Sequence, residues 1–169
     1  SRNSLDSNAA SANTSQGFYL VGSSDNNVLT GNVASANGMD GFYVGGSINV
    51  TLSANTATGN STNGIRLTLS STSCTVASNV VLNNTLNGVF LESSSDGGRV
   101  VGNTIRANGN DGLYLGGSNG CLIQSNLIAD NMSYGLHLDG SVYDQIVQNQ
   151  IDSNASWQVY ISAGSLADT

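Results

Sequence analysis

A chain of 169 residues with four Arg, no Lys and eleven acidic side chains carries a net charge of −7, so it lacks the basic footprint that nucleic acid or an anionic membrane surface requires. Charged residues are only 9% of the chain, Pro is absent, and Gly, Asn, Ser and Thr dominate; this is too polar for a helical bundle and too regular in its apolar residues for disorder. The length suits one domain, 1–169, and no apolar run approaches the roughly 20 residues of a membrane span.

Seven copies of one short repeat fill the sequence. Aligned on a recurring Asn, they fall at Asn8, Asn32, Asn55, Asn79, Asn103, Asn126 and Asn149, with spacings of 23 or 24 residues. A second Asn follows five positions later, at 13, 37, 60, 84, 108, 131 and 154. Four beyond that stands Gly17, Gly41, Gly64, Gly88, Gly112 and Gly135, with Gln158 in the last copy. A fixed period in this range signals a solenoid.

In chain order, each copy predicts three short strands. The first centres on an apolar residue three before the first Asn (Leu5, Leu29, Leu52, Val76, Val100, Ile123, Ile146). The second centres on one two after it (Ala10, Ala34, Ala57, Val81, Ile105, Ile128, Ile151). The third follows the Gly slot and carries two apolar residues around an outward one: Phe18/Leu20, Phe42/Val44, Ile65/Leu67, Val89/Leu91, Leu113/Leu115, Leu136/Leu138, Val159/Ile161. Apolar residues two apart over so short a stretch mean strands. Where the second strand offers only Ala10 or Ala34 the third supplies Phe18 or Phe42, and as that slot grows to Val or Ile its partner shrinks. Close packing demands such compensation. The expected fold is all-β: one right-handed parallel β-helix of about seven coils, three strands per coil, with the fourteen repeat Asn stacked in structural ladders at turns that use the left-handed tolerance of Asn.

Copies such as Gly102-Asn103-Thr104-Ile105-Arg106-Ala107-Asn108, followed by Gly112-Leu113-Tyr114-Leu115, resemble the right-handed parallel β-helix repeat superfamily. That superfamily includes pectate-lyase-like enzymes, mannuronan epimerases, NosD-like periplasmic proteins, phage tailspikes and surface adhesins. The resemblance implies the coil and leaves the activity open. Its carbohydrate enzymes place clustered carboxylates and a basic residue on one sheet face. The analogous outward ladder here is Tyr19, Tyr43, Arg66, Phe90, Tyr114, His137 and Tyr160.

A catalytic constellation would gather Glu92, Asp111, Tyr114, His137 and Asp139 for acid–base work on a sugar. Glu92 and Asp139 stand two coils apart, however, and Asp111 comes from another slot. The Asp-Pro-His motif of the epimerases has no Pro to form it, and the Lys of many lyases is missing, so no catalytic residue is assigned. His137 and Asp139 are too few for a metal, and no cofactor is expected. What remains is a binding face of Tyr19, Tyr43, Tyr114, His137, Asp139 and Tyr160, suited to sugar rings or to a protein. Asn-x-Ser/Thr triplets off the ladders make Asn49 and Asn83 the glycosylation candidates.

Cys74 and Cys121 occupy one slot two copies apart. Coils spaced by about 4.8 Å put them roughly 9–10 Å apart, beyond the ~7 Å reach of a disulfide. Without an initiator Met, the chain reads as processed or excised from a longer one. With close to a whole number of coils and no evident cap, the primary expectation is an extracellular structural protein, secreted or on the cell surface. Its partners would be copies of itself stacked head to tail into a filament or longer fibre. The alternative is a carbohydrate-active or carbohydrate-binding β-helix using the outward aromatic face.

Overall fold

The computed structural model describes residues 2–165, and within them every regular element is a strand. The strands form three parallel sheets of seven, each strand paired with its copy one coil away. The first sheet runs from Ser4–Asp6 to Gln145–Val147, the second from Ala9–Ser11 to Gln150–Asp152, and the third from Phe18–Val21 to Val159–Ile161. Register is set by the repeat: Leu5 faces Leu29, Ala10 faces Ala34, Phe18 faces Phe42. Identical slots therefore stack into columns, and the apolar columns close into one continuous buried core.

Two Asn ladders clamp the corners. Each Asn Oδ1 accepts from the backbone N–H and from the side-chain Nδ2 of the Asn one coil earlier, as in Asn55 to Asn79 (2.9 and 3.1 Å). The remaining Nδ2 hydrogen goes to a core-strand carbonyl further back, such as Asn79 to Leu52 at 2.9 Å. The buried amides are thus satisfied on every side, which is what makes their burial tolerable. The left-handed backbone is not on the ladder Asn, as the sequence had suggested, but on the residue before it. Ser7, Gly31, Ala54, Ser78, Gly102, Ser125 and Gln148 precede the first ladder, and all have φ between 53° and 66°. The ladder Asn keeps ordinary dihedrals because its side chain must point inward along the stack. The strained position is left to whatever residue precedes it, and four fully satisfied amide bonds per rung hold it there.

The last rung ends differently. Asn154, with no repeat Asn after it among the described residues, donates its N–H and Nδ2 to Gln158 Oε1 (3.3 and 2.9 Å). The one non-Gly residue in the Gly slot thus occupies the acceptor position that a further Asn would fill.

The two cysteines are free and buried in the column beside the first sheet. The coil between them contributes Gly98, whose Cβ would lie 3.6 Å from the Cys121 sulfur. Burial raises both thiols; that of Cys121, with Asp144 beside it, is pushed up to about 12. Both are kept as core-filling, unreactive groups.

Candidate functional site on the third sheet

Along the third sheet the outward residues between the paired core positions form one ladder, with Tyr19 opposite Tyr43, Arg66 opposite Phe90, and Tyr114 opposite His137. Tyr19 and Tyr43 tilt against each other with centroids 5.0 Å apart, as do Phe90 and Tyr114 at 4.8 Å. Arg66 interrupts the rings and lies 5.6 Å from the centroids of both Tyr43 and Phe90, within cation–π range. Its Nε donates to Glu92 Oε1 at 2.9 Å, its Nη2 reaches the same oxygen, and Asp40 stands 4.0 Å away. Burial opposes the guanidinium charge, but Glu92 and Asp40 outweigh it and hold Arg66 firmly protonated.

Coils five to seven bring the face to its densest point. The His137 ring meets Tyr114, Tyr134 and Tyr160 edge-on at 4.8–5.0 Å. Tyr134 stacks on Tyr160 (4.7 Å, 17°), and both adjoin Trp157. Tyr134 and Trp157 come from the slot before the Gly, not from the outward ladder. That slot swings over the same face because the following strand turns sharply at the Gly. Trp157 is 60% exposed and is the only Trp of the chain.

The slot before the Gly also builds a third polar ladder, which the repeat did not disclose. Asp40 Oδ1 accepts from the N–H and Nδ2 of Asn63 (3.0 and 2.8 Å). Asn63 Oδ1 accepts from Asn87, and Asn87 Oδ1 from the Asp111 N–H. It runs opposite to the corner ladders, each rung accepting from the coil after it. At Asp111, one oxygen takes the Tyr134 N–H (3.0 Å) and the other lies 2.9 Å from His137 Nδ1. A buried carboxylate fixed by the backbone thus orients the imidazole, an arrangement used to set a His tautomer. The signal was visible as Asp, Asn, Asn, Asp at one slot of four successive coils.

Asp139 joins the same centre from the strand end, where its Oδ2 accepts from the Tyr114 hydroxyl at 3.0 Å and its Oδ1 from Ser162 at 2.6 Å. These two bonds hold the Asp139 carboxyl below its ordinary range. Burial, and then the bond to Asp139, push the Tyr114 phenol up to about 12. The neutral phenol is the form the fold favours. Its contribution is complete below the ordinary Tyr range near 10 and is lost as pH rises through about 12. Ultraviolet titration of phenolate should therefore contain a late ionisation near pH 12 that disappears in Tyr114→Phe.

Of the five groups in the catalytic constellation, the structure brings together Asp111, His137, Tyr114 and Asp139 as two cross-coil pairs, and gives Glu92 to Arg66. Tyr160 belongs to the ring cluster, while Tyr19 and Tyr43 stand at the other end of the ladder. Asn49 and Asn83 are both exposed and both left-handed, and Asn49 Nδ2 donates to Asn26 at 2.8 Å. A shallow polar depression lined by Arg2, Asn26, Val28, Asn49 and Thr51 lies at the first sheet, away from the rings.

Two family profiles match this chain: the right-handed beta helix region over residues 1–105, and the periplasmic copper-binding protein NosD over residues 68–168. The chain belongs to the right-handed β-helix and NosD repeat families. Among solved structures this β-helix is similar to the periplasmic alginate epimerase AlgG, at 27% identity and TM-score 0.84 over 88% of this chain and 36% of that one. It also matches the Azotobacter vinelandii mannuronan C-5 epimerase AlgE4 A-module, at 20% identity and TM-score 0.81 over 99% of this chain and 57% of that one. Pectate lyase Pel9A matches at 15% identity and TM-score 0.65, over 90% and 55%. The last two likenesses establish the fold alone. The chain spans about a third of the length of AlgG. No curated protein matches the sequence.

The copper in the NosD description meets no matching cluster of ligands among the described residues. Among the described residues no group of three or more His, Cys, Asp or Glu can hold a metal ion. Copper favours thiolate, thioether and imidazole donors. Here both thiols are sealed in the core, the exposed thioethers of Met39 and Met132 sit in other slots of the repeat than His137, and the His137 Nδ1 faces Asp111.

Proposed function

We propose that this β-helix binds a polysaccharide laid across its coils on the outer face of the third sheet, with coils five to seven as the recognition centre. One observation carries the reading: Tyr114, Tyr134, His137, Trp157 and Tyr160 form a contiguous ring surface edged by Asp139, with His137 held from below by the buried Asp111. Aromatic faces stack on the C–H faces of pyranoses, and oriented carboxylates and imidazole serve the hydroxyls between them. The coil spacing of about 4.8 Å is comparable to the step per sugar of an extended pyranose chain. The alginate and mannuronan epimerases and the pectate lyase sharing the coil architecture are named for polysaccharide chemistry, which supports the substrate class.

Tyr114 suits contact with a bound sugar better than proton abstraction from it. A phenol at about 12 that already donates to Asp139 is no base at neutral pH. The fluorescence of Trp157, alone in the chain, should change saturably when glycan fragments are titrated in, and His137→Ala should weaken that response by at least tenfold. A panel of plant, algal and bacterial polysaccharides that leaves both the fluorescence and the calorimetric trace unchanged would remove the reading.

A location outside the cytoplasm, periplasmic or extracellular, accompanies this proposal, supported by the periplasmic descriptions of NosD and AlgG. End-to-end stacking of subunits is the second reading, since the parallel register that joins coil to coil is the pairing it would use. Sedimentation that stays monomeric across a wide concentration range removes it.

A further inference from the structure

We infer that the third-sheet face selects uncharged sugar chains and rejects uronates, an inference that rests on the polysaccharide-binding reading above. A face that binds a polyuronate must neutralise one carboxylate per sugar. The charged groups at or just beneath this face are four carboxylates, exposed or half-buried Glu92 and Asp139 and buried Asp40 and Asp111, against one guanidinium, Arg66, and one imidazole, His137. Both positive groups already have carboxylate partners. Arg66 is bonded through Nε and Nη2 to Glu92, faces Asp40 at 4.0 Å, and is flanked by the Tyr43 and Phe90 rings. A ligand carboxylate would have to compete with Glu92 and Asp40 for the guanidinium charge. His137 turns Nδ1 to Asp111, so even its protonated form is matched by a buried carboxylate.

Beyond the ring hydroxyls and the indole N–H of the aromatic residues, the charged groups that remain at this face are acceptors. Asp139 offers lone pairs beside Tyr114, while Asp111 is buried against His137 and Glu92 is taken up by Arg66. Acceptors of this kind suit sugar hydroxyls, which donate. The negative charges of coils two, four, five and six repel a ligand's carboxylates, a discrimination that operates through rejection as much as attraction. Net negative charge over the whole chain adds to the same field.

The test uses a matched pair of oligosaccharides on one backbone: oligomannuronate, and the same oligomer after chemical reduction of its carboxyls to hydroxymethyl groups. Trp157 fluorescence and calorimetry at low ionic strength should give at least tenfold tighter binding of the reduced, neutral oligomer. Added salt should narrow the gap by screening the repulsion. Glu92→Gln, which frees the Arg66 charge while keeping a side chain of the same length, should improve oligomannuronate binding several-fold and leave the neutral oligomer nearly unaffected.

Equal or tighter binding of the carboxylated oligomer to the unaltered protein overturns the selectivity while leaving the polysaccharide reading intact. Absence of binding by either oligomer and by every neutral polymer of the wider panel overturns both. A Glu92→Gln protein that remains folded by circular dichroism yet gains nothing toward the uronate overturns the role assigned to Arg66.

Discussion

Replacing Asn79 by Ala is expected to destabilise the protein by about 3–5 kcal/mol, because one side chain closes hydrogen bonds on three coils at once. Its Oδ1 takes the Asn55 N–H and Nδ2, while its Nδ2 serves the Leu52 carbonyl and Asn103 Oδ1. All of these groups are buried, so water cannot replace the lost partner. The Asn55 N–H is left orphaned, and each such group costs about 1–3 kcal/mol. Against a domain stability of about 5–15 kcal/mol this is a large fraction. The exposed rung Asn8 gives the comparison: it bonds to Asn32 and Asp6 where solvent can substitute, so Asn8→Ala should cost less than about 1 kcal/mol. Urea unfolding of the two variants checks the difference, and equal midpoints would deny the ladder its role.

Gly88→Ala is expected to cost about 3 kcal/mol, at the upper end of the range for overpacking. Gly88 is not among the left-handed residues, so Ala could adopt its backbone, and chain entropy alone would favour the change. Space forbids it. A Cβ there would lie 2.3 Å from Ile105 Cγ2, 2.6 Å from the Gly112 carbonyl oxygen and 2.8 Å from Asn108 Nδ2. Two of these belong to the backbone of the next coil and to the ladder, neither of which can yield without breaking register. Gly140 is the opposite case, with φ at +65° and nothing within 4 Å of a built Cβ. There Ala meets only the left-handed penalty of about 1 kcal/mol. Thermal unfolding should rank the two variants in that order; the reverse would mean that dihedral preference, not coil spacing, explains the Gly slot.

The coil was legible because its determinants recur. Leu29, Ala34 and Asn32 each reappear one period on, Phe42 is followed by another apolar residue, Ile65, and parallel register turns that recurrence directly into contact. The recognition centre was legible only as an outward ladder, because its decisive contacts join different slots of neighbouring coils. Asp111 meets His137 across 26 positions, one coil and a further step around it, and Tyr114 meets Asp139 across 25. Slot-by-slot alignment separates these partners. Tyr134 and Trp157 were missed as ring partners for the same reason, since they precede the Gly and reach the face only after the chain turns there. The placing of the left-handed residue before the ladder Asn was hidden by its variety: Ser, Gly, Ala and even Gln148 occupy it. Backbone geometry is imposed there by the neighbouring amide bonds, so the residue type keeps little record of it.

The traded volumes of the core have a consequence for how the chain threads. A solenoid of identical coils could misalign by one period with every contact preserved, because nothing would distinguish one turn from the next. Here Phe18 and Phe42 stack in parallel, 4.8 Å apart, above the small Ala10 and Ala34. Coils four and five instead set Val81 and Ile105 against Val89 and Leu113. A chain that set coil four's second strand beside coil two's third would press Val81 onto a phenyl ring, an overpacking of about 1–3 kcal/mol, while the converse error leaves a void. Misthreaded turns are thus penalised at the N-terminal end of the stack, and the growing column carries, in the sizes of its side chains, a count of its own turns.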